Sequence, residues 1–338
     1  MNYNLLLLFL FPIYISAQCT CEQSGNTDDN NKNQALKFKL IAIASILVAG
    51  ALGICIPQFG KMFESLSPNS NMLLVVKFFA AGVILATGFV HVFPDANESL
   101  ENICLGDKPW GDFPMANFVA MLATVAVMIV ETVVTSLFHR LKRENKAVQC
   151  VGDEENHEGQ MNVLTHTSNG HAHGSSQILL RNQIVSQVLE IGIIIHSVII
   201  GISLGVSTHP KTIKPLIVAL SFHQMFEGMG LGSCIIEAEF KVATVTTMLI
   251  FFSLTTPIGI AIGIWIAKAY DENSHTALIV QGILNAASAG ILIYMALVDL
   301  LAMDFMKANV QKSSRLQTIA FISILLGLGC MSLLAKWA

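Results

Sequence analysis

The chain has 338 residues, of which 53% are hydrophobic and only 12% are Asp, Glu, Lys or Arg. Charged residues make up about a quarter of a typical soluble protein, so this composition excludes a soluble domain of this length. The apolar residues fall into runs of about 20, the length that crosses a bilayer. The net charge of −4 is small and predicts no nucleic-acid partner. The sequence therefore predicts a polytopic membrane protein.

Residues 1–18 have the pattern of a secretory signal peptide. A short apolar region, Leu5 to Phe11, is followed by the small residues Ser16 and Ala17, which suit cleavage. Residues 1–4 contain no Lys or Arg, so an uncleaved anchor is the alternative. Cleavage would leave residues 19–35 as an extracellular N-terminal segment.

Eight later segments are long and apolar enough to span a membrane, which predicts an all-α protein with three helices within residues 36–138 and five within 183–338. The segments are Leu36–Gly60, Met72–Phe93, Asn117–Phe138, Gln183–Ser207, Thr212–Cys234, Val242–Lys268, Thr276–Leu301 and Leu316–Lys336.

Cationic residues predict the orientation of these segments. Arg140, Lys142 and Arg143 follow the third segment directly, and Lys307 and Lys312 lie between the seventh and eighth. Because cytosolic loops carry the excess of Lys and Arg, these two loops are predicted to be cytosolic and both termini extracellular. The plasma membrane is the expected location.

Residues 139–182 form a polar linker that is predicted to be cytosolic and largely disordered. It contains His166, His171 and His173, which could bind zinc weakly. A solvated linker without any metal function is the alternative.

Two histidines lie near the middle of predicted spans, His196 in the fourth segment and His223 in the fifth. The loop between the segments is short, so they form an antiparallel hairpin. The two histidines are equally far along the chain from this loop, and at ~1.5 Å per residue both imidazoles lie at the same depth. Glu227 stands one turn beyond His223 on the same helix face. Two imidazoles and a carboxylate suit a divalent metal such as Zn²⁺ or Fe²⁺.

Neighbouring residues extend this hypothesis. Ser197 and Gln224 could add weak oxygen ligands or hydrogen bonds to the ligands. Gly201, Gly205 and Gly228 would let the ligand-bearing helices approach closely. The alternative is that the histidines are hydrogen-bond partners between helices and that the glycines serve packing alone.

Four stretches together resemble the ZIP metal-ion transporters in their plant form. The stretch 190–205, EIGIIIHSVIIGISLG, is similar to the family's helix 4 signature, and HQMFEG at 223–228 to its helix 5 motif. HVFPD at 91–95 and ALVDLLAMDF at 296–305 match the family in helices 2 and 7.

The resemblance implies an eight-helix importer that moves Zn²⁺, Fe²⁺ or related ions into the cytosol, with His196, His223 and Glu227 as ligands. Some family members carry a Glu four residues after the helix 4 histidine and bridge two metals with it. Ile200 occupies that position here, so we expect a single metal ion.

Other ionisable residues are candidates for the path to and from this site. His91, Asp95 and Glu98 could form an extracellular access site, although Pro94 tends to end or kink the helix that carries them. The candidates for the inner pathway and exit are Glu131, Asp299 and Asp304. An ordinary solvated loop and interfacial caps are the alternatives.

The competing functions are a metal exporter, a metal-sensing receptor and an intramembrane metalloprotease. The protease requires H-E-x-x-H, whereas residues 223–227 read H-Q-M-F-E, so no enzyme is predicted. No prosthetic cofactor is expected, since Zn²⁺ or Fe²⁺ would be the substrate. The expected partners are these ions and the lipid bilayer, with a homodimer as an open question.

Overall fold

The computed structural model describes residues 29–60, 70–105, 110, 112–152, 169–207, 210–267 and 275–336. Within these ranges the regular structure is entirely helical, which confirms the predicted fold class. The α-helices are α1 (Asp29–Gly60), α2 (Asn71–Ala86), α3 (Phe93–Leu100), α4 (Met115–Gly152), α5 (Asn169–Val206), α6 (Pro210–Glu237), α7 (Val242–Ile266), α8 (His275–Tyr294), α9 (Met303–Phe305), α10 (Ala308–Gln311) and α11 (Ser314–Ala335).

Seven helices in the described ranges are long and apolar enough to cross a bilayer. The remaining predicted span, Thr212–Cys234, corresponds to α6, which has 28 residues and carries His223, Gln224 and Glu227. At ~1.5 Å per residue α6 is also longer than the hydrocarbon core is thick. It packs against α1, α2 and α5, so few of its side chains would face lipid. This position explains how a membrane-spanning helix can carry the three polar residues His223, Gln224 and Glu227.

Two spans pass through a wider π-helical turn near one end. Thr87–Val92 joins α2 to α3, and Met295–Ala302 joins α8 to α9. The second predicted span therefore does not end at Pro94, because the helix continues to Leu100. Proline lacks a backbone N–H, and the irregular hydrogen bonding of the π-turn before it accommodates that loss.

The predicted boundaries of the polar segments need correction. Residues 139–152 continue α4 and residues 169–182 belong to α5, so the prediction of disorder is wrong for both flanks of the linker. The first helix begins at Asp29, inside the segment predicted to precede it. The predicted signal peptide at 1–18 and the middle of the linker at 153–168 lie outside the described residues.

The most extensive helix contacts form four pairs: α1 with α6, α5 with α7, α2 with α11, and α4 with α8. Glycines stand where the first two pairs meet. A Cβ atom added to Gly228 of α6 would lie 3.0 Å from the Cα of Gly53 in α1, and one added to Gly201 of α5 would lie 2.6 Å from the carbonyl oxygen of Thr256 in α7. The absence of side chains at these positions lets the backbones approach closely. Gly205 likewise meets Gly263 of α7, so the predicted glycines bring each ligand-bearing helix against another neighbour and not, as expected, against each other. The two ligand-bearing helices, α5 and α6, are thereby held between α7 and α1.

Candidate metal centre

His196 of α5 and His223 and Glu227 of α6 come together inside the helix bundle. One ligand atom of each residue lies within 4.8 Å of the other two, and this is the one such group of three or more metal-ligating residues in the described part of the chain. The imidazole centroids of His196 and His223 are 5.8 Å apart. The distance from Nε2 of His196 to Oε1 of Glu227 is 3.9 Å. The convergence predicted from the hairpin and from the four-residue spacing is present in the structure.

These three side chains are buried and incompletely hydrogen-bonded. His196 and His223 are each 1% exposed, and Glu227 is 0% exposed. Nε2 of His196, Nδ1 of His223 and both carboxylate oxygens of Glu227 have no hydrogen-bond partner among the described residues. Such groups destabilise a buried site by about 1–3 kcal/mol each unless something satisfies them. A cation placed between them would satisfy all three residues.

The donor set fits a borderline divalent cation. Zn²⁺ binds imidazole nitrogen at ~2.0–2.1 Å and carboxylate oxygen at ~2.0–2.2 Å, so ligands of one tetrahedral ion lie a little over ~3 Å apart. The spacing here is slightly wider, and small side-chain movements would close it around one ion. Ile200 cannot act as a second-metal ligand, because its side chain supplies no donor atom and packs among apolar residues.

Ser288 of α8 makes a contact to this group that the sequence analysis did not predict. Its Oγ lies 2.6 Å from Nδ1 of His196, and Ser288 is fully buried. Ser288 lies among small residues of an apolar segment, and nothing in that sequence pattern identifies which side chain it would contact. Only the packing of α8 against α5 brings the two side chains together.

The two predicted auxiliary residues differ in their surroundings. Ser197 is buried, and its hydroxyl has no partner within the described structure. Gln224 instead contacts α7: its amide oxygen accepts a hydrogen bond from Oγ1 of Thr256 at 3.2 Å, and its amide nitrogen donates to the carbonyl oxygen of Phe252 at 3.4 Å. In this arrangement Gln224 ties α6 to α7 and does not serve as an open ligand.

The residues predicted for access lie on the α2–α3 span. His91 is buried in the π-turn, whereas Asp95 and Glu98 of α3 are exposed. Because the helix continues past Pro94, His91 and Asp95 lie about one turn apart on the same span. None of the three belongs to the central group of ligands.

Glu131 and Asp299 lie near the predicted cytosolic end of the bundle. Glu131 of α4 accepts a hydrogen bond from the hydroxyl of Tyr294 at 2.5 Å. Asp299, in the second π-turn, is 2% exposed, and neither of its carboxylate oxygens has a hydrogen-bond partner in the ranges the structure covers. Asp299 thus remains available to a cation, while Glu131 is already engaged.

Asp304 belongs to a closed ring of four charges at the same end. Nζ of Lys77 lies 2.9 Å from the Asp304 carboxylate and 3.1 Å from that of Glu237. Nζ of Lys307 lies 2.7 Å from each of the same two carboxylates. The predicted exit ligand is therefore bound by two lysines in this structure. The ring ties the end of α6 to α2, to α9 and to Lys307 just beyond α9.

The predicted loop ligands cannot be placed in the site. His166 lies outside the described residues, and the side chains of His171 and His173 are likewise not described, although their backbone belongs to α5.

These observations define a class: a multi-pass helical membrane protein with a buried group of two imidazoles and one carboxylate suited to a divalent cation. Comparison with known proteins agrees. The profile of the family described as ZIP Zinc transporter matches residues 36–335. Zinc transporter 3 of Arabidopsis thaliana is 51% identical over 319 residues, which cover 94% of this chain and 90% of that protein.

Two rice proteins are similar to this chain over almost its whole length. Zinc transporter 5 of Oryza sativa subsp. japonica is 49% identical over 332 residues, covering 96% of this chain and 93% of the relative. Zinc transporter 8 of the same plant is 47% identical over 359 residues, covering 94% and 92%. The chain belongs to the ZIP zinc transporter family, and it is a membrane transporter whose substrates are divalent metal ions.

Proposed function

We propose that this protein imports Zn²⁺ across the plasma membrane into the cytosol, through a site formed by His196, His223 and Glu227. The convergence of their unpartnered donor atoms within 4.8 Å in the buried interior carries the proposal. The relatives' names support zinc as the substrate. The same donors accept Fe²⁺, Mn²⁺ and Cd²⁺, so these ions should compete with zinc.

The ion would follow the ionisable residues along the bundle. The exposed carboxylates of Asp95 and Glu98 would concentrate cations at the extracellular mouth, and His91 would stand between that mouth and the central site. On the cytosolic side the unpartnered carboxylate of Asp299 offers the next anionic position. An ion leaving by that route would then pass the ion-paired Asp304.

Membrane potential supplies a sufficient driving force for uptake. The chain contains no G-x-x-x-x-G-K phosphate-binding loop, so ATP hydrolysis by that route is unsupported. Moving one charge through 100 mV is worth ~2.3 kcal/mol, and a divalent ion gains twice that amount. A facilitated carrier is therefore energetically adequate for cation entry into the cytosol.

Radiolabelled Zn²⁺ uptake in cells that lack their own zinc uptake tests this function. His196→Ala and Glu227→Ala should each abolish uptake while surface abundance remains that of the wild type. Val218→Ala is a matched control on α6, because Val218 is 59% exposed and points away from the site. Unchanged uptake in both site variants would remove the site from the mechanism, and loss of cytosolic zinc on expression would indicate export.

A further inference from the structure

A serine of α8 contacts the histidine that α5 contributes to the proposed metal site. Oγ of Ser288 lies 2.6 Å from Nδ1 of His196, with Ser288 0% and His196 1% exposed. We infer that Ser288 is a positioning residue, which holds the His196 imidazole so that Nε2 presents its lone pair to the transported ion. This inference rests on the proposed function of the site.

The chemistry of imidazole gives the direction of the hydrogen bond. A neutral imidazole has one N–H and one nitrogen lone pair, and a metal ion binds only the lone pair. Nε2 of His196 is the nitrogen that faces Oε1 of Glu227 at 3.9 Å and lacks a hydrogen-bond partner. For Nε2 to bind the ion, Nδ1 must carry the proton and donate it to Oγ of Ser288. Oγ of Ser288 can accept this hydrogen bond, and in doing so it stabilises the tautomer that binds the ion.

The packing of α5 against α8 explains why the contact is so short. Gly192 stands one turn before His196 on the same face of α5. A Cβ atom added to Gly192 would lie 3.0 Å from Cγ2 of Ile291, and it would also meet the sulfur of Met295. Ile291 and Met295 share a face of α8 and its π-turn extension with Ser288, at spacings of three and seven residues. The missing side chain at Gly192 lets this face approach α5 closely enough for a direct hydrogen bond.

The two histidine ligands are held differently. Nδ1 of His223 has no hydrogen-bond partner among the residues described, whereas Nδ1 of His196 is bound by Ser288. His196 is thus the ligand whose ring orientation is held by a neighbouring side chain before the ion arrives. Ligands with such an outer partner typically lose about 10–100-fold in metal affinity when the partner is removed.

The test is the kinetics of Zn²⁺ uptake by the full chain carrying Ser288→Ala. We expect the KM for zinc to rise about tenfold, while the maximal rate stays within about twofold of the wild type. Ser288→Thr retains a hydroxyl and should restore most of the affinity. Ser233→Ala is the control, because Ser233 is equally buried but donates its hydroxyl to the carbonyl oxygen of Met229 in its own helix at 2.7 Å.

Zn²⁺ titration of the purified full-length variants provides a second readout, independent of transport. The dissociation constant should rise about tenfold in Ser288→Ala and remain unchanged in Ser233→Ala. An unchanged dissociation constant in Ser288→Ala, or an equal loss in Ser233→Ala, would overturn the positioning role. If the wild type takes up no zinc, or if His196→Ala takes it up normally, then the proposed function itself fails.

Discussion

Nε2 of His196 faces Oε1 of Glu227 at 3.9 Å, and both atoms are buried without a hydrogen-bond partner among the described residues. This distance is too long for a hydrogen bond but short enough for both atoms to bind one ion after a small movement. A buried pair in this condition gains stability from a divalent cation that binds both imidazole nitrogen and carboxylate oxygen.

Zinc should therefore stabilise the purified protein against unfolding. At a free Zn²⁺ concentration 100 times the dissociation constant, the gain is about 2.7 kcal/mol, which a thermal unfolding curve in detergent would show as a higher midpoint. A chelator should reverse the shift, and Mg²⁺, which prefers oxygen ligands and retains its water, should not reproduce it. An equal zinc-induced shift in His196→Ala would show that the ion binds elsewhere.

Glu227→Gln should separate charge from shape at the site. The amide has nearly the same size, but it removes the negative charge that compensates the ion, so zinc affinity should fall at least tenfold, or about 1.4 kcal/mol. Without metal the variant should be at least as stable as the wild type, because an unpartnered carboxylate is replaced by a neutral group. Zinc titration and metal-free unfolding of the same sample measure the two effects. A metal-free protein destabilised by the substitution would contradict this account of Glu227.

Much of this arrangement could be predicted from the sequence because it depends on spacing along helices. The equal distances of His196 and His223 from a short loop set their common depth, and the four-residue step to Glu227 set the shared face. The contact of Ser288 with His196 could not be predicted, since it depends on which faces of distant helices meet. The same holds for the pairing of Glu131 with Tyr294, which joins α4 to α8.

Helix continuity was harder to predict than helix location. Pro94 gave a local signal for a helix end, but the π-turn before it carries the helix onward to Leu100. The polar composition of the linker predicted disorder, yet α4 continues through hydrophilic residues to Gly152. Hydropathy identifies where a helix lies in the membrane and gives no information on how far it extends into water.

Gly201→Ala should loosen the packing of α5 on α7. The added Cβ would lie 2.6 Å from the carbonyl oxygen of Thr256 and 3.0 Å from the Cα of Gly259, so backbone must move. Such overpacking costs about 1–3 kcal/mol, measurable as a lower unfolding midpoint and reduced zinc uptake. Gly329→Ala in α11 is the matched control, because nothing lies within 4 Å of its added Cβ. Equal stability of the two variants would contradict the close approach at Gly201.

Lys77→Met should destabilise the ring of charges formed by Lys77, Glu237, Asp304 and Lys307. Removing one lysine leaves Asp304, which is 1% exposed, with less compensation, and breaking a buried ion pair in this way costs about 3–5 kcal/mol. Surface abundance and the unfolding midpoint should both fall.

Two further variants decide whether charge is the cause. Lys77→Met combined with Asp304→Asn should recover part of the lost stability, because the uncompensated charge is gone. Lys312→Met removes an exposed lysine from the same end of the molecule and should have little effect. A double variant less stable than the sum of its single changes would show that the ring does not act through charge compensation.

X-ray absorption at the zinc edge, on purified protein loaded with one equivalent of Zn²⁺, tests the metal site most directly. The histidines of residues 139–182 should first be replaced by Gln, so that the linker contributes no imidazole; they are His139, His157, His166, His171 and His173. The spectrum should then show imidazole nitrogens with oxygen and without sulfur, and the imidazole signal should disappear in His196→Ala/His223→Ala. An imidazole signal that persists in that double variant would contradict the central claim.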